Sequence, residues 1–331
     1  MQSALFDHDR GDERAAVRPA AAAAALAELA TRLHERWGGR LHLGTSSWHF
    51  PGWAGLVWDR AYPEAALSRH GLTAYALHPL LRCVSLDRAF YRPLGAADGA
   101  ALAAQVPEDF RFVVKAPALI SDALVRAAGS GAPLAPNPLF LHAPAALEHC
   151  AGPLAAGLGA RLGALVVQLS PLPPHWLGDA QALLDRLDVL LAALASALPS
   201  DALLAVEPRD AALLTPAFAG TLRRHGARAC LGLHDRLPAI EALLPLQRAL
   251  WPGDLVCRWN LQRGQRYAQA RDAWAPFDRL QAPDPATRRT LARVVRATLD
   301  AGQRAFVTIN NKAEGSAPLS VAALAEALLE G

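Results

Sequence analysis

Eight short apolar segments, each running into polar residues at its end, recur along this 331-residue chain and alternate with helix-like stretches. They are LHLGTS (41–46), CVSLD (83–87), FRFVVKA (110–116), LGALVVQL (162–169), LLAVE (203–207), ACLGLHD (229–235), LVCRWN (255–260) and AFVTIN (305–310). Helical patterns cover 178–197, 211–225, 286–300 and 317–330. Alternation of strands and helices, rather than grouped runs of each, predicts a parallel sheet with helices outside it. Eight is the number of strands that closes a (β/α)8 barrel. The fold class expected is therefore α/β, a TIM-like barrel. The competing doubly wound sheet would carry a Gly-rich phosphate turn after its first strand, and GTSSWHFPGW is neither Gly-x-Gly-x-x-Gly nor a Walker loop.

Successive residues of a strand face opposite ways, so each segment can be sorted by parity. Val84 and Leu86 share one face while Ser85 and Asp87 share the other; Phe112 and Val114 oppose Arg111, Val113 and Lys115. Cys257 and Trp259 oppose Val256, Arg258 and Asn260, and Val307 and Ile309 oppose Thr308 and Asn310. The apolar set should meet the helices and the polar set should point into the barrel. This predicts a ring at the C-terminal strand ends made of Ser46, Asp87, Lys115, Gln168, Glu207, His234, Arg258 and Asn310. Loop residues expected to reach over it are Trp48, Trp53, Arg92, Arg209, Asp235, Asn311, Lys312 and Glu314. Barrel strands are normally near-continuous apolar runs, and buried charge without a partner is costly, so a polar ring at this end points to a binding site.

Arginine is used almost everywhere, and Lys115 and Lys312 are the only lysines. A surviving lysine is informative because its compact ammonium and adjustable pKa are properties arginine lacks. Hydrophobic residues at 52% and charged residues at 19% fit a globular protein and exclude a disordered one. The apolar run Ala20–Ala27 is broken by Glu28 and Arg32, too short for a membrane span. The N-terminus carries Asp7, Asp9, Asp12 and Glu13 rather than a basic secretory start, so the location expected is cytoplasmic. Cys83, Cys150, Cys230 and Cys257 are far apart, which predicts reduced, buried thiols. Residues 1–40 read as a polar, mobile tail to about residue 18 followed by an Ala-rich helix with Leu26, Leu29 and Leu33 on one face, stopped by Gly38 and Gly39. Residues 41–331 read as a single barrel domain.

The segments GTSSWHFPGW, FYRPL, FRFVVKAP, LGALVVQLSP, LLAVEPR and TINNKAEGSAP occur in the order found in the YecE-like proteins, the domain of unknown function 72, which the chain resembles across about residues 41–330. The resemblance implies a TIM-barrel fold and no established reaction. It covers Gly44, Thr45, Ser46, Trp48, Phe90, Tyr91, Arg92, Lys115, Gln168, Glu207, Arg209, Asp235, Asn310, Asn311, Glu314 and Gly315. The chain departs from the pattern the resemblance implies on the second strand, where Ser85 and Asp87 replace a Glu-x-Asn, and near Asp122 and at Asp210, where histidines are usual. If those groups react, the departures imply altered or reduced activity.

The function expected first is an enzyme, of hydrolase or lyase type, acting on a small polar or anionic substrate. Glu207 would be the acid or base, tuned by Lys115 and Arg258; Lys115 is alternatively an oxyanion or Schiff-base lysine, and Asp235 joins the catalytic set. Ser46, Asp87, Arg92, Gln168, Arg209, His234, Asn310 and Asn311 would bind the substrate, with Trp48 as an apolar wall. A divalent metal on His234, Asp235 and Glu207 is a lesser reading, because no compact ligand motif is present. A second function class is nucleic-acid binding, with Arg92, Arg209, Arg258, Arg263 and Arg266 on phosphates and Trp48, Trp53 or Tyr267 stacking. A third is a non-catalytic interaction scaffold. No membrane partner is expected.

Overall fold

The computed structural model describes residues 16–330. Eight parallel strands form the barrel: Leu41–Thr45, Cys83–Leu86, Arg111–Lys115, Leu162–Gln168, Leu203–Glu207, Arg228–Leu233, Leu255–Trp259 and Ala305–Ile309. The first strand lies between the second and the eighth, with Leu41 opposite Ala305 and Gly44 opposite Cys83. The sixth strand is in two pieces. Arg228–Ala229 pairs with the fifth strand and Leu231–Leu233 with the seventh, so the nearly closed circuit turns through Cys230.

The parity reading holds. Val113, Ala164, Val166, Leu203, Ala205, Cys230, Val256 and Phe306 form a core of their own, separate from the larger core to which Val84, Leu86, Phe112, Val114, Cys257, Trp259, Val307 and Ile309 belong. The first set fills the barrel and the second meets the surrounding helices, the two layers a strand's two faces must serve. Gly44 lets the first two strands approach closely: a Cβ there would lie 1.9 Å from the Cys83 carbonyl oxygen.

Helices follow most strands and have local start signals. Ala180–Ala197, Pro216–Arg224 and Pro285–Asp300 begin after Asp179, Thr215 and Asp284, whose side chains accept from the amides of Ala182, Phe218 and Thr287. Such caps satisfy amides that have no partner within the helix. Helices Glu64–Ala76 and Ile240–Ala249 and an antiparallel ribbon, Leu124–Arg126 with Pro133–Pro136, were not among the elements expected from sequence. The extension forms Ala24–Trp37, buries Leu29, Leu33 and Trp37, and ends at Gly38 with φ 59°. Of the expected mobile tail, residues 1–15 lie outside the described residues. Arg18 and Ala20 instead exchange backbone hydrogen bonds with Asp59 and Val57. The four cysteines are free and buried. Among the described residues no helix is long and apolar enough to cross a membrane.

Candidate functional site

At the C-terminal end of the barrel, Arg258 from the seventh strand joins carboxylates of two other strands. One guanidinium nitrogen pairs with Glu207 at the end of the fifth strand, and the other donates to Asp87 at 2.7 Å, just past the second. Arg209 lies 2.6 Å from the other Glu207 oxygen, and both arginines donate to Gln168 Oε1, at 2.8 and 3.2 Å. Ser85 donates to Asp87 at 2.7 Å. Gly232 allows this layer to close, since a Cβ there would come within 2.9 Å of Glu207 Oε1.

Burial alone would push the Glu207 carboxyl up, but Arg209 and Arg258 outweigh it and hold the group below its ordinary range. Asp87 follows the same pattern. Desolvation raises its pKa, and Arg258, Lys115 and the Ser85 hydroxyl reverse the shift. Glu207 is fully buried, whereas the Asp87 side chain keeps 32% exposure, so of the two carboxylates Asp87 is the one a ligand can meet.

Both lysines come to this mouth. Lys115 is 8% exposed, with its ammonium 3.8 Å from the centre of the Phe90 ring; Lys312 is 5% exposed, with its ammonium 4.2 Å from that of Tyr267. Among the described residues no carboxylate lies within 4 Å of either ammonium. Desolvation lowers each pKa to about 8, opposed in both cases by the field of Asp87. Tyr267 stands at the same mouth, under the Lys312 ammonium; its pKa is raised by burial first, then by Tyr91 and Asp87. Tyr91 and Tyr267 are 84% and 56% exposed and form its apolar rim. His234 and Asp235 pair at 2.5 Å beside it; burial lowers the His234 pKa, Arg209 adds to this, and Asp235 and Glu207 oppose it.

The structure thus brings Asp87, Lys115, Gln168, Glu207, Arg209, Arg258 and Lys312 together, with His234 and Asp235 adjoining. Several other expected ligands are engaged elsewhere. Trp48 is buried and donates to the Leu67 carbonyl, so it secures helix Glu64–Ala76 rather than walling a pocket. Trp53 is sealed and donates to Asn311, whose same oxygen also accepts the Ala317 amide; neither presents a face to a ligand. The Asn310 side chain accepts from the Lys312 amide and shapes the turn after the eighth strand. Glu314 accepts the Asp284 amide at 2.6 Å and faces Arg288 at 3.1 Å, bracing the preceding loop. Ser46 is buried, and among the described residues its hydroxyl finds no hydrogen-bond partner. Arg92 stands exposed with no ion pair among the described residues. At the departures from the family pattern, Asp122 pairs with Arg126 at 2.7 Å in the ribbon, and Asp210 accepts the Leu172 amide at 2.9 Å. Sequence reasoning missed Phe90 as the neighbour of the lysine; the FYRPL segment held it, but nothing there indicated that its ring would cover an ammonium.

Among the described residues no three of His, Cys, Asp or Glu gather as a metal-binding group. A cavity of 690 Å³ lies at the opposite end, lined in part by the N-terminal helix, His42, Arg82 and Asp109. His42 stacks on Phe306 at 4.4 Å, and its pKa falls to about 4, mainly by burial, with Arg111 and Arg304 adding to the shift. A neutral imidazole held against a ring offers little chemistry, and barrel active sites lie at the other end.

No curated protein matches the chain. Among solved structures, a DUF72 family protein from Thermotoga maritima MSB8 superposes with a TM-score of 0.56 at 18% identity, over 88% of this chain and 99% of that one. Another from Enterococcus faecalis V583 gives 0.55 at 17% identity, over 88% and 96%. Likeness at this identity establishes the fold. The family model described as protein of unknown function DUF72 matches residues 42–331, and the chain belongs to that family.

Proposed function

We propose that the barrel mouth binds a small anionic molecule and that the protein is an enzyme acting on it, with the Lys115 amine as the reacting group. The observation that carries this is the charge balance. Arg209, Arg258, Lys115 and Lys312 stand against Asp87 and Glu207, an excess of two cations, still one when Asp235 is included. Buried charge without a partner is costly, and an anionic guest would relieve the cost. In this reading Glu207 is a fixed counter-ion that aims the two arginines. It is not the acid or base expected from sequence, because a sealed carboxylate held ionised by two guanidinium groups is a poor proton carrier.

Two results test this. Binding of malonate or inorganic phosphate, followed by calorimetry, should weaken as pH rises through about 8, where both lysines lose their charge. Saturable binding that is absent, or indifferent to pH between 7 and about 9.5 for malonate, would remove the lysines from the site. The second concerns stability. The folded-state pKa of Lys115 is depressed, from 10.5 to about 8, so its ammonium weakens the fold below about 8, and stability recovers as pH rises from there toward 10.5. Lys115→Met should therefore stabilise the protein at neutral pH by about 1–3 kcal/mol while weakening anion binding at least about tenfold. Destabilisation instead would mark Lys115 as a structural residue.

A further inference from the structure

We propose that the mouth takes a small oxo acid and that Lys115 condenses with its carbonyl to form an imine, a reading that rests on the anion site proposed above and names its substrate class. Two features of the geometry point there together. The cationic excess calls for a carboxylate on the guest. Lys115 offers a reactive nitrogen on a rigid strand end, sheltered at 8% exposure and covered by Phe90, with no carboxylate within 4 Å among the described residues. The groups whose charge acts on it are Asp87, Arg258, Glu207 and Arg209, and all four are already linked to one another through Arg258 and Glu207. A desolvated lysine near other cations is the environment in which an amine becomes nucleophilic near neutral pH, and a pKa of about 8 fits it.

The step balances without an oxidant or reductant. The lone pair of the neutral amine forms the C–N bond, the carbonyl π pair moves to oxygen, and that oxygen takes the proton the nitrogen sheds. The nitrogen's pair then expels the oxygen as water, using one further proton from an ammonium such as Lys312. The products are a protonated imine and one water. The guest's carboxylate would lie toward Lys312 and Arg258, and its carbonyl carbon at Lys115.

The chain is well suited to a direct test, since its α-amine, Lys115 and Lys312 are its only primary amines. The protein would be incubated with pyruvate and cyanoborohydride, which reduces an imine to a stable secondary amine, and then read by intact mass and peptide mapping. Malonate binding would be measured in parallel as the readout of the anion site alone. The expected result is one pyruvate-derived label per chain, mapped to Lys115, suppressed by malonate and lost in Lys115→Arg. Lactate, which lacks the carbonyl, should leave the mass unchanged. Malonate binding with no label at Lys115, or with label confined to Lys312 or the α-amine, would overturn the imine and leave the anion site standing. Label at Lys115 with no malonate binding would support the imine and overturn the anion-site reading. Absence of both would overturn both. Mapping on the wild-type chain makes the assignment independent of how any variant folds.

Discussion

Replacing Glu207 with glutamine should lower the unfolding free energy by about 3–5 kcal/mol, measured by denaturant titration at neutral pH. The carboxylate is fully buried and is the shared partner of Arg258 and Arg209, so its loss leaves two desolvated guanidinium groups with one counter-ion, Asp87, beyond the pair. A catalytic base standing free in a pocket would behave differently: its removal would abolish turnover and leave stability unchanged or improved. A double-mutant cycle with Arg258→Gln should give a coupling of about 0.5–3 kcal/mol, because residues in one ion-pair network do not contribute independently. The pH dependence follows from the same pair. The folded-state pKa of Glu207 is depressed, so its contribution is fully present above the unfolded value near 4.5 and is lost as pH falls through the lower folded value. Acid unfolding of the glutamine variant should therefore show a weaker dependence on pH below about 4.5 than that of the wild type.

Gly44→Ala should be nearly as damaging, at about 3 kcal/mol or more. The new methyl would lie 1.9 Å from the Cys83 carbonyl oxygen and 2.6 Å from its carbon. Both are backbone atoms of the neighbouring strand, so relief requires the first two strands to separate rather than a side chain to rotate. Gly39→Ala is the matching control: nothing lies within 4 Å of its added Cβ, and the substitution should change stability by less than about 1 kcal/mol. Equal effects at the two positions would show that the close approach at Gly44 is not what constrains it.

The barrel was legible in the sequence because strand parity is a strict geometric rule. Sorting Ser85, Lys115 and Arg258 from Val84, Val114 and Trp259 needed no knowledge of the partners, only that alternate residues face alternate layers. The polar strand ends were legible for the same reason: Arg258 on one strand meets Asp87 and Glu207 at the ends of two others. The loops obey no such period. Asn311 and Glu314 looked like ligands because they are polar and lie beyond a strand, yet their acceptors serve the amides of Ala317 and Asp284, groups a tight turn would otherwise bury without partners. Trp48 and Trp53 were equally hard to place. A loop tryptophan reads as a free stacking surface until the helix that covers it is in place, and helix Glu64–Ala76 was not apparent in the sequence pattern. Asp122 and Asp210 are carboxylates that fix a ribbon and a loop.

Arg258 touches groups borne by the second, fourth and fifth strands while standing on the seventh. It works as a tie rod across the bore, so that displacing any one of those strands strains the others. A mouth braced this way meets its guest with charges already in position and little freedom to adapt. Selection among candidate molecules should then depend on the spacing of their charged ends, with a chain one methylene too long rejected by misfit rather than accommodated by movement.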